Sequence, residues 1–436
     1  MEMQQPKQRQ RRVQRLRCSV MNYDWGKKGR DSVVGRLCAS NSHSEIDLEK
    51  PYAEMWMGTH DSGPSFLIDQ DLNNNNNSTT TGSSPSLRDW VSNNPNDMLG
   101  HKVVQKWGSS DLPFLFKVQS VAKALSIQAH PDKELAKALH KSMPDIYKDD
   151  NYKPEMALAL THFQALCGFI TLEELKKVIG NVPEIVELVG SEVENQLLRT
   201  TKEDGEDKVK SVIRLIFAQL MSTNKEIITT VTTKLKSRLQ TESQVRQLTE
   251  KEQLVLQLEK QYPNDVGVIA AFFLNHVKLN PGEALCLGAN EPHAYISGDC
   301  IECMATSDNV VRAGLTPKHR DIKTLCSMLT YKQGFPEILR GVAVNPHVTR
   351  YIPPFEEFEV DRIHLPHGES TEFPAVPGPS IFVVTFGKGT ICTSNGDHAI
   401  IQGDVLFAPA HTEISITSAS ELHIYRAGVN STFLAS

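Results

Sequence analysis

The 436-residue chain contains no run of about eighteen apolar residues, so no segment reads as a membrane-spanning helix. It also lacks an apolar stretch of the signal-peptide kind. The eight cysteines are scattered and set no disulfide framework, which points to free thiols in a reducing compartment, the cytoplasm. Cys300 and Cys303 form one CxxC, but a zinc finger needs a second pair, and none is present. With a net charge of −6 the chain has no general excess of cations for nucleic acid or an anionic membrane. What is there is the composition of a globular protein, 39% hydrophobic and 22% charged, at a length that calls for two or three domains.

The first seventeen residues carry six Lys or Arg against a single Glu and are expected to form a disordered basic tail. Residues 68–86, rich in Asn, Ser and Thr, cannot bury enough apolar surface to order themselves and read as a mobile surface insertion. Ser86 after it reads as a helix cap. From Cys18 to about residue 170, and again from 262 to 340, short apolar runs alternate with turn residues, the pattern of antiparallel strands in a barrel or jelly roll. Between them the period changes. Leu172, Leu175 and Ile179, then Val209, Val212, Ile213, Ile216, Phe217 and Leu220, then Leu254, Val255 and Leu258 recur at helical spacing, which predicts a helical domain over residues 171–261. The block 341–436 returns to strand text and predicts a separate β domain, giving an α+β, mainly β chain.

The stretch LSIQAHPDKE at 125–134 poses a chemical question. On a strand, Ser126, Gln128 and His130 share one face while Leu125, Ile127 and Ala129 take the other. A buried amide and imidazole need partners, and a metal ion uses a carbonyl oxygen and a ring nitrogen together. In DNYKPEMALAL, Pro154 keeps Lys153 extended, so Lys153 and Glu155 project to one face. His293 follows in the turn-rich NEPHAYISG. Each alone reads as readily as a solvated or capped side chain, but together they offer one amide oxygen, two nitrogens and one carboxylate, a set suited to zinc. Asp308, Arg312 and Lys318 cluster in ATSDNVVRAGLTPKHRD, where an arginine can clamp a phosphate or a developing oxyanion.

The motifs QAHPDKELA, NYKPEMALAL, ALCGF and GDCIECMATSDNVVRAGLTPKHRD, with NYDWG near the start and AEMWMGTHDSGPS at 53–65, resemble those of the type I mannose-6-phosphate isomerases from about residue 18 to the end. The resemblance implies a cupin-type jelly-roll catalytic domain with an inserted helical domain and a second, C-terminal cupin-like domain. It implies one zinc ion held by Gln128, His130, Glu155 and His293. Arg312 would be the catalytic arginine, with Lys153 and Asp308 lining the site, and Ser126, Lys117 and Lys123 would hold the substrate's phosphate. The partner implied is a small sugar phosphate, acted on by a monomer, and the product route implied is supply of mannose for GDP-mannose synthesis. Two positions depart from the family. Tyr152 stands where the family usually has His, so no proton-transfer role carries over to it, and Asp61 replaces a proline, a change expected to be structural only.

Such an isomerase moves a proton between C1 and C2 through an enediol, and zinc would polarise the carbonyl without changing redox state. Arg312 takes the oxyanion or ring-opening role, with Lys153 a proton-transfer candidate. Two rivals differ in class. A cupin oxygenase would depend on ferrous ion and dioxygen and typically uses an H-x-H pair, where this chain has Gln128-Ala129-His130. A non-catalytic sugar-phosphate-binding cupin would have kept the fold and lost turnover, with Tyr152 as the feature in its favour. His398 and His411 in the last block show no partner set, so that block is expected to be structural.

Overall fold

The computed structural model describes residues 12–68 and 84–436. Residues 1–11 and 69–83 lie outside it, and with them most of the expected basic tail and of the Asn-rich insertion.

One long strand organises the catalytic half. His293–Ala305 pairs in its first part with Ile127–Ala129 and Phe163–Phe169, and in its second part with Phe114–Val121 and Glu155–Ala159. It therefore passes from one antiparallel sheet to the other. The crossing point is Gly298, with φ near +113°, where an added Cβ would lie 2.5 Å from the His162 carbonyl oxygen. Between the two sheets Ala157, Ala159, Ala165, Phe163, Tyr295 and Cys300 form a shared core. This is the cupin-type jelly roll. His293 thus opens a strand in this structure, where the Gly- and Pro-rich text around it read as turn. The two cysteines of the CxxC fall on opposite faces of the same strand, Cys300 in this core and Cys303 in the next. They cannot share a metal.

The helical insertion forms for the reasons its sequence gives. Leu172–Asn181 begins at a capping box made by Thr171 and Glu174, and Glu250–Gln261 at another made by Thr249 and Glu252. Glu206–Ser222 buries Val209, Val212, Ile213, Ile216, Phe217 and Leu220 on one stripe. These stripes share a single core with Ile127, Ala129, Ala294, Ile296, Val311 and Ala313. Those six are the alternate positions of the strands that carry Gln128, His293 and Arg312. Burying a large aliphatic such as Ile127 or Ile296 contributes about 1.5–3 kcal/mol, and it also forces the neighbouring polar side chains toward the opposite, site-facing side.

At the C-terminal end, Val405–Ala408 pairs with Ser380–Phe386 on one side and with Gln14–Arg17 on the other. The expectation of a disordered tail through residue 17 fails for this strand. Val13 and Leu16, three apart, bury into different cores at 4% and 0% exposure, and Arg15 pairs with Asp404 and donates to the Ala399 carbonyl. Phe66–Leu67 adds beyond Gln14–Arg17. The last sheet is built from both ends of the chain, so residues 341–436 do not complete it alone. Ser86 accepts a hydrogen bond from the Asp89 amide and caps Leu87–Asn93, as its sequence predicts.

Candidate active site and metal centre

The site lies where the two sheets diverge. In register, Gln128 stands opposite His293 on one side and opposite Arg312 of Val311–Gly314 on the other. His130 ends the same segment, and Glu155 begins Glu155–Ala159. Glu155 lies between the two imidazoles, its Oε1 3.4 Å from His130 Nε2 and its Oε2 3.3 Å from His293 Nε2. All three side chains are buried.

The hydrogen bonds around this trio decide its chemistry. His130 Nδ1 is 2.6 Å from the Asn309 carbonyl and His293 Nδ1 is 3.0 Å from the Glu291 carbonyl. A carbonyl only accepts, so each Nδ1 carries the hydrogen and each Nε2 presents a lone pair. Neither Nε2 has a hydrogen-bond partner among the described residues. Burial, only partly offset by Glu155, pushes the His130 pKa down to about 4, so that ring is neutral. Burial works against the charge of Glu155, but the Lys153 ammonium reverses the effect and holds its carboxyl well below the usual range. Two lone pairs and a carboxylate thus converge in a buried space, which repels itself unless a cation lies among them. Two imidazoles and one carboxylate fit zinc, and Gln128, in register beside His293, offers an amide oxygen as the fourth donor. Gln128 Oε1 itself accepts from the Ser126 hydroxyl at 3.3 Å.

Beside the trio lies a cleft of about 420 Å³, reached through Lys153 and Gln128. Gln128, Lys153, Asp308 and Arg312 line it, as do Ser126, Lys123 and Lys117. Lys153 Nζ is 3.1 Å from Glu155 Oε1, so Lys153 and Glu155 do share a face. The half-buried Arg312 guanidinium makes no hydrogen bond or ion pair among the described residues, and burial lowers its pKa. It is an anion receptor without a protein anion. Asp308 faces His60 at 3.3 Å, whose hydrogen bond lowers the Asp308 pKa. Lys318 also lines the cleft, and Lys123 Nζ sits 3.7 Å from Asp24.

Lys117 differs from its expected role. It is buried, 3.0 Å from Glu302 and 3.8 Å from Glu54. Burial opposes its charge, but these carboxylates outweigh that and raise its pKa. It is a counter-ion for two buried acids and is not free to hold a phosphate. The same network takes in Gln119, which donates to both Glu54 and Glu302, and Tyr295, whose hydroxyl donates to Glu302 at 2.8 Å. Glu54, Gln119, Tyr295, Glu302 and His60 were not singled out from sequence. The available signal was a charged or amide side chain every second residue inside an otherwise apolar strand, as in Lys117 and Gln119 of FLFKVQSV.

Of the two departures, Tyr152 turns out of the cleft and donates to Glu357 at 2.7 Å, under the Lys133 ammonium. Asp61 pairs with Arg88 at the surface.

Residues 13–172 match the family described as phosphomannose isomerase type I, catalytic domain, and residues 188–274 match its helical insertion domain. Among curated proteins, mannose-6-phosphate isomerase 1 of Arabidopsis thaliana is 62% identical over 97% of this chain and 95% of its own, and the human mannose-6-phosphate isomerase is 40% identical over 95% and 98%. Among solved structures, mannose 6-phosphate isomerase from Salmonella typhimurium bound to substrate and zinc superposes with a TM-score of 0.77 at 27% identity, covering 96% of this chain and 99% of that one. Fold, buried donor set and near full-length similarity agree, and the chain belongs to the type I phosphomannose isomerases.

Proposed function

We propose that the chain interconverts mannose 6-phosphate and fructose 6-phosphate through an enediol, with one zinc ion held by Gln128, His130, Glu155 and His293. The observation that carries this reading is the buried pair of partnerless Nε2 atoms facing Glu155, beside a cleft whose guanidinium, Arg312, has no anion among the described residues. Bound zinc supplies Lewis-acid polarisation of the substrate's carbonyl and hydroxyl oxygens.

The chain's own residues do the rest. Arg312 holds the oxyanion that develops as the C2 proton leaves and assists opening of the sugar ring. Lys153, in the cleft and 3.1 Å from Glu155, takes the proton that C2 loses and returns one to C1. Asp308 takes a sugar hydroxyl, and Ser126 with Lys123 holds the phosphate. From aldose to ketose, C2 loses a proton and C1 gains one, while O2 loses its hydroxyl proton and O1 gains one, so atoms and charge balance. The mannose 6-phosphate so formed feeds GDP-mannose synthesis.

Mannose 6-phosphate labelled with deuterium at C2 tests the enediol. Release of label to solvent water during turnover supports it. Label that stays wholly at C1, with none in water even after the equilibrium mixture has turned over many times, speaks against a base in exchange with solvent and for a direct hydride shift.

A further inference from the structure

Among the described residues a second group repeats the donor set of the catalytic centre on the other half of the molecule. His364 on Glu359–Leu365 and His423 on Leu422–Gly428 are directly opposed in register, and Glu421 precedes the second strand. His364 Nε2 lies 3.2 Å and His423 Nε2 3.0 Å from the same oxygen, Glu421 Oε1, with the ring centroids 4.4 Å apart. In the catalytic trio the corresponding separations are 3.4 and 3.3 Å. Donors bound to one tetrahedral ion at about 2.0–2.1 Å stand roughly 3.4 Å from one another, close to these His–carboxylate separations, and in each trio the three donor atoms all lie within 4.8 Å of one another. We infer that His364, Glu421 and His423 form a second, surface site for a zinc-like divalent ion.

The chemistry selects the ligand class. Two imidazoles and a carboxylate favour zinc, cobalt, nickel or copper over magnesium and calcium, which require a shell of oxygens. Cross-strand register fixes the imidazole backbones, and Phe386, its ring 5.5 Å from that of His423, limits where that ring can turn. The site is also unlike the catalytic one in two respects that set its strength. Its side chains are 47%, 56% and 35% exposed, where the catalytic trio is buried, and the backbone carbonyls that orient the catalytic imidazoles have no counterpart in its hydrogen bonds. Solvent competes for the donors and the rings must be ordered on binding, so this site fills only after the catalytic one. Once filled, it joins Glu359–Leu365 to Leu422–Gly428 and to the turn at 420–421 in the C-terminal sheet.

The test is a zinc titration of the one-zinc holoenzyme against a chromophoric chelator, repeated with cobalt as a spectroscopic probe. The wild type is expected to take up a second equivalent and to develop the visible d–d bands of low-symmetry Co2+. His364→Ala and His423→Ala are expected to lose the second equivalent and the bands while keeping the first zinc and the isomerase rate. That rate also reports that the variants are folded, and Glu421→Gln, which keeps the shape of the side chain, is expected to weaken the second site at least tenfold. A wild type that stops at one equivalent, or variants that all bind the second as the wild type does, would overturn the inference.

Discussion

The Tyr152 hydroxyl donates to Glu357 Oε2 at 2.7 Å, which turns the ring away from the cleft that its neighbours Lys153 and Glu155 enter. Tyr152, one of the two departures from the family pattern, therefore stands outside the chemistry. Burial, with Glu357 beside it, raises the Tyr152 pKa, so it remains a donor throughout the working range. Tyr152→Phe should leave kcat within about a factor of three and lower stability by roughly 1 kcal/mol, the usual net worth of one hydrogen bond. Steady-state kinetics beside urea unfolding read both quantities. A loss of kcat of a hundredfold or more would show that the ring acts on the substrate.

Asp149 holds the segment whose carbonyl orients His130. Its carboxylate accepts from the Ser307 hydroxyl and the Asp308 amide at 2.8 Å each, and its backbone carbonyl accepts from Asn309 Nδ2 at 2.7 Å. The Asn309 carbonyl in turn fixes the tautomer of His130. Asp149→Ala should weaken zinc binding by about 10- to 100-fold, the usual effect of removing a group that orients a ligand. Competition with a chelator of known affinity measures it, and unchanged affinity would show that Asn309 holds its place without Asp149.

Asp265 plays the matching part for Arg312. Its carboxylate accepts from the amides of Leu315 at 2.6 Å and Thr316 at 3.1 Å, which pins the turn after Arg312 to the end of the helical domain. Leu315 needs this support, because its φ of +54° is one that side chains rarely adopt. Asp265→Ala should cost about 1–3 kcal/mol of stability for the amides left unmet and lower kcat without loss of zinc. Arg312→Ala should lower kcat by about 100-fold or more, again with zinc retained. Equal loss of zinc and turnover in Arg312→Ala would make that residue structural.

The helical domain should carry its own pH dependence. Arg246 holds Glu252 with two hydrogen bonds, of 3.0 and 2.7 Å, and this, with the cap at Thr249, lowers the Glu252 pKa from 4.5 to about 2. A depressed carboxylate stabilises the fold fully above its unfolded pKa and loses that contribution as pH falls through the folded one. The stability difference between wild type and Glu252→Gln should therefore be constant above about pH 5 and shrink as pH falls toward 2. Urea melts across that range measure it, and a difference independent of pH would remove the ionised pair from the account.

Sequence made some of this legible and left other parts hidden, for physical reasons. Helices such as Glu206–Ser222 are written locally, since period and caps lie within one segment. The face shared by Gln128 and His130 was visible because alternation is also local. The pairing of Gln14–Arg17 with Val405–Ala408 was not, because strands almost four hundred residues apart leave no local mark and the Arg-rich text masks Val13 and Leu16. Lys117 read as a phosphate ligand because its partners, Glu54 and Glu302, sit on two other strands. The trio of His364, Glu421 and His423 was hidden in the same way, by register between distant strands.

The central claim is that the buried donor set holds the zinc on which isomerisation depends. The most direct measurement is a coupled assay of the purified protein on mannose 6-phosphate, reading fructose 6-phosphate before chelation, after it, and after zinc is returned. The account predicts activity that is lost with the metal and restored by about one equivalent of zinc per chain. Full activity in metal-free protein, or no activity in protein holding stoichiometric zinc, would contradict it.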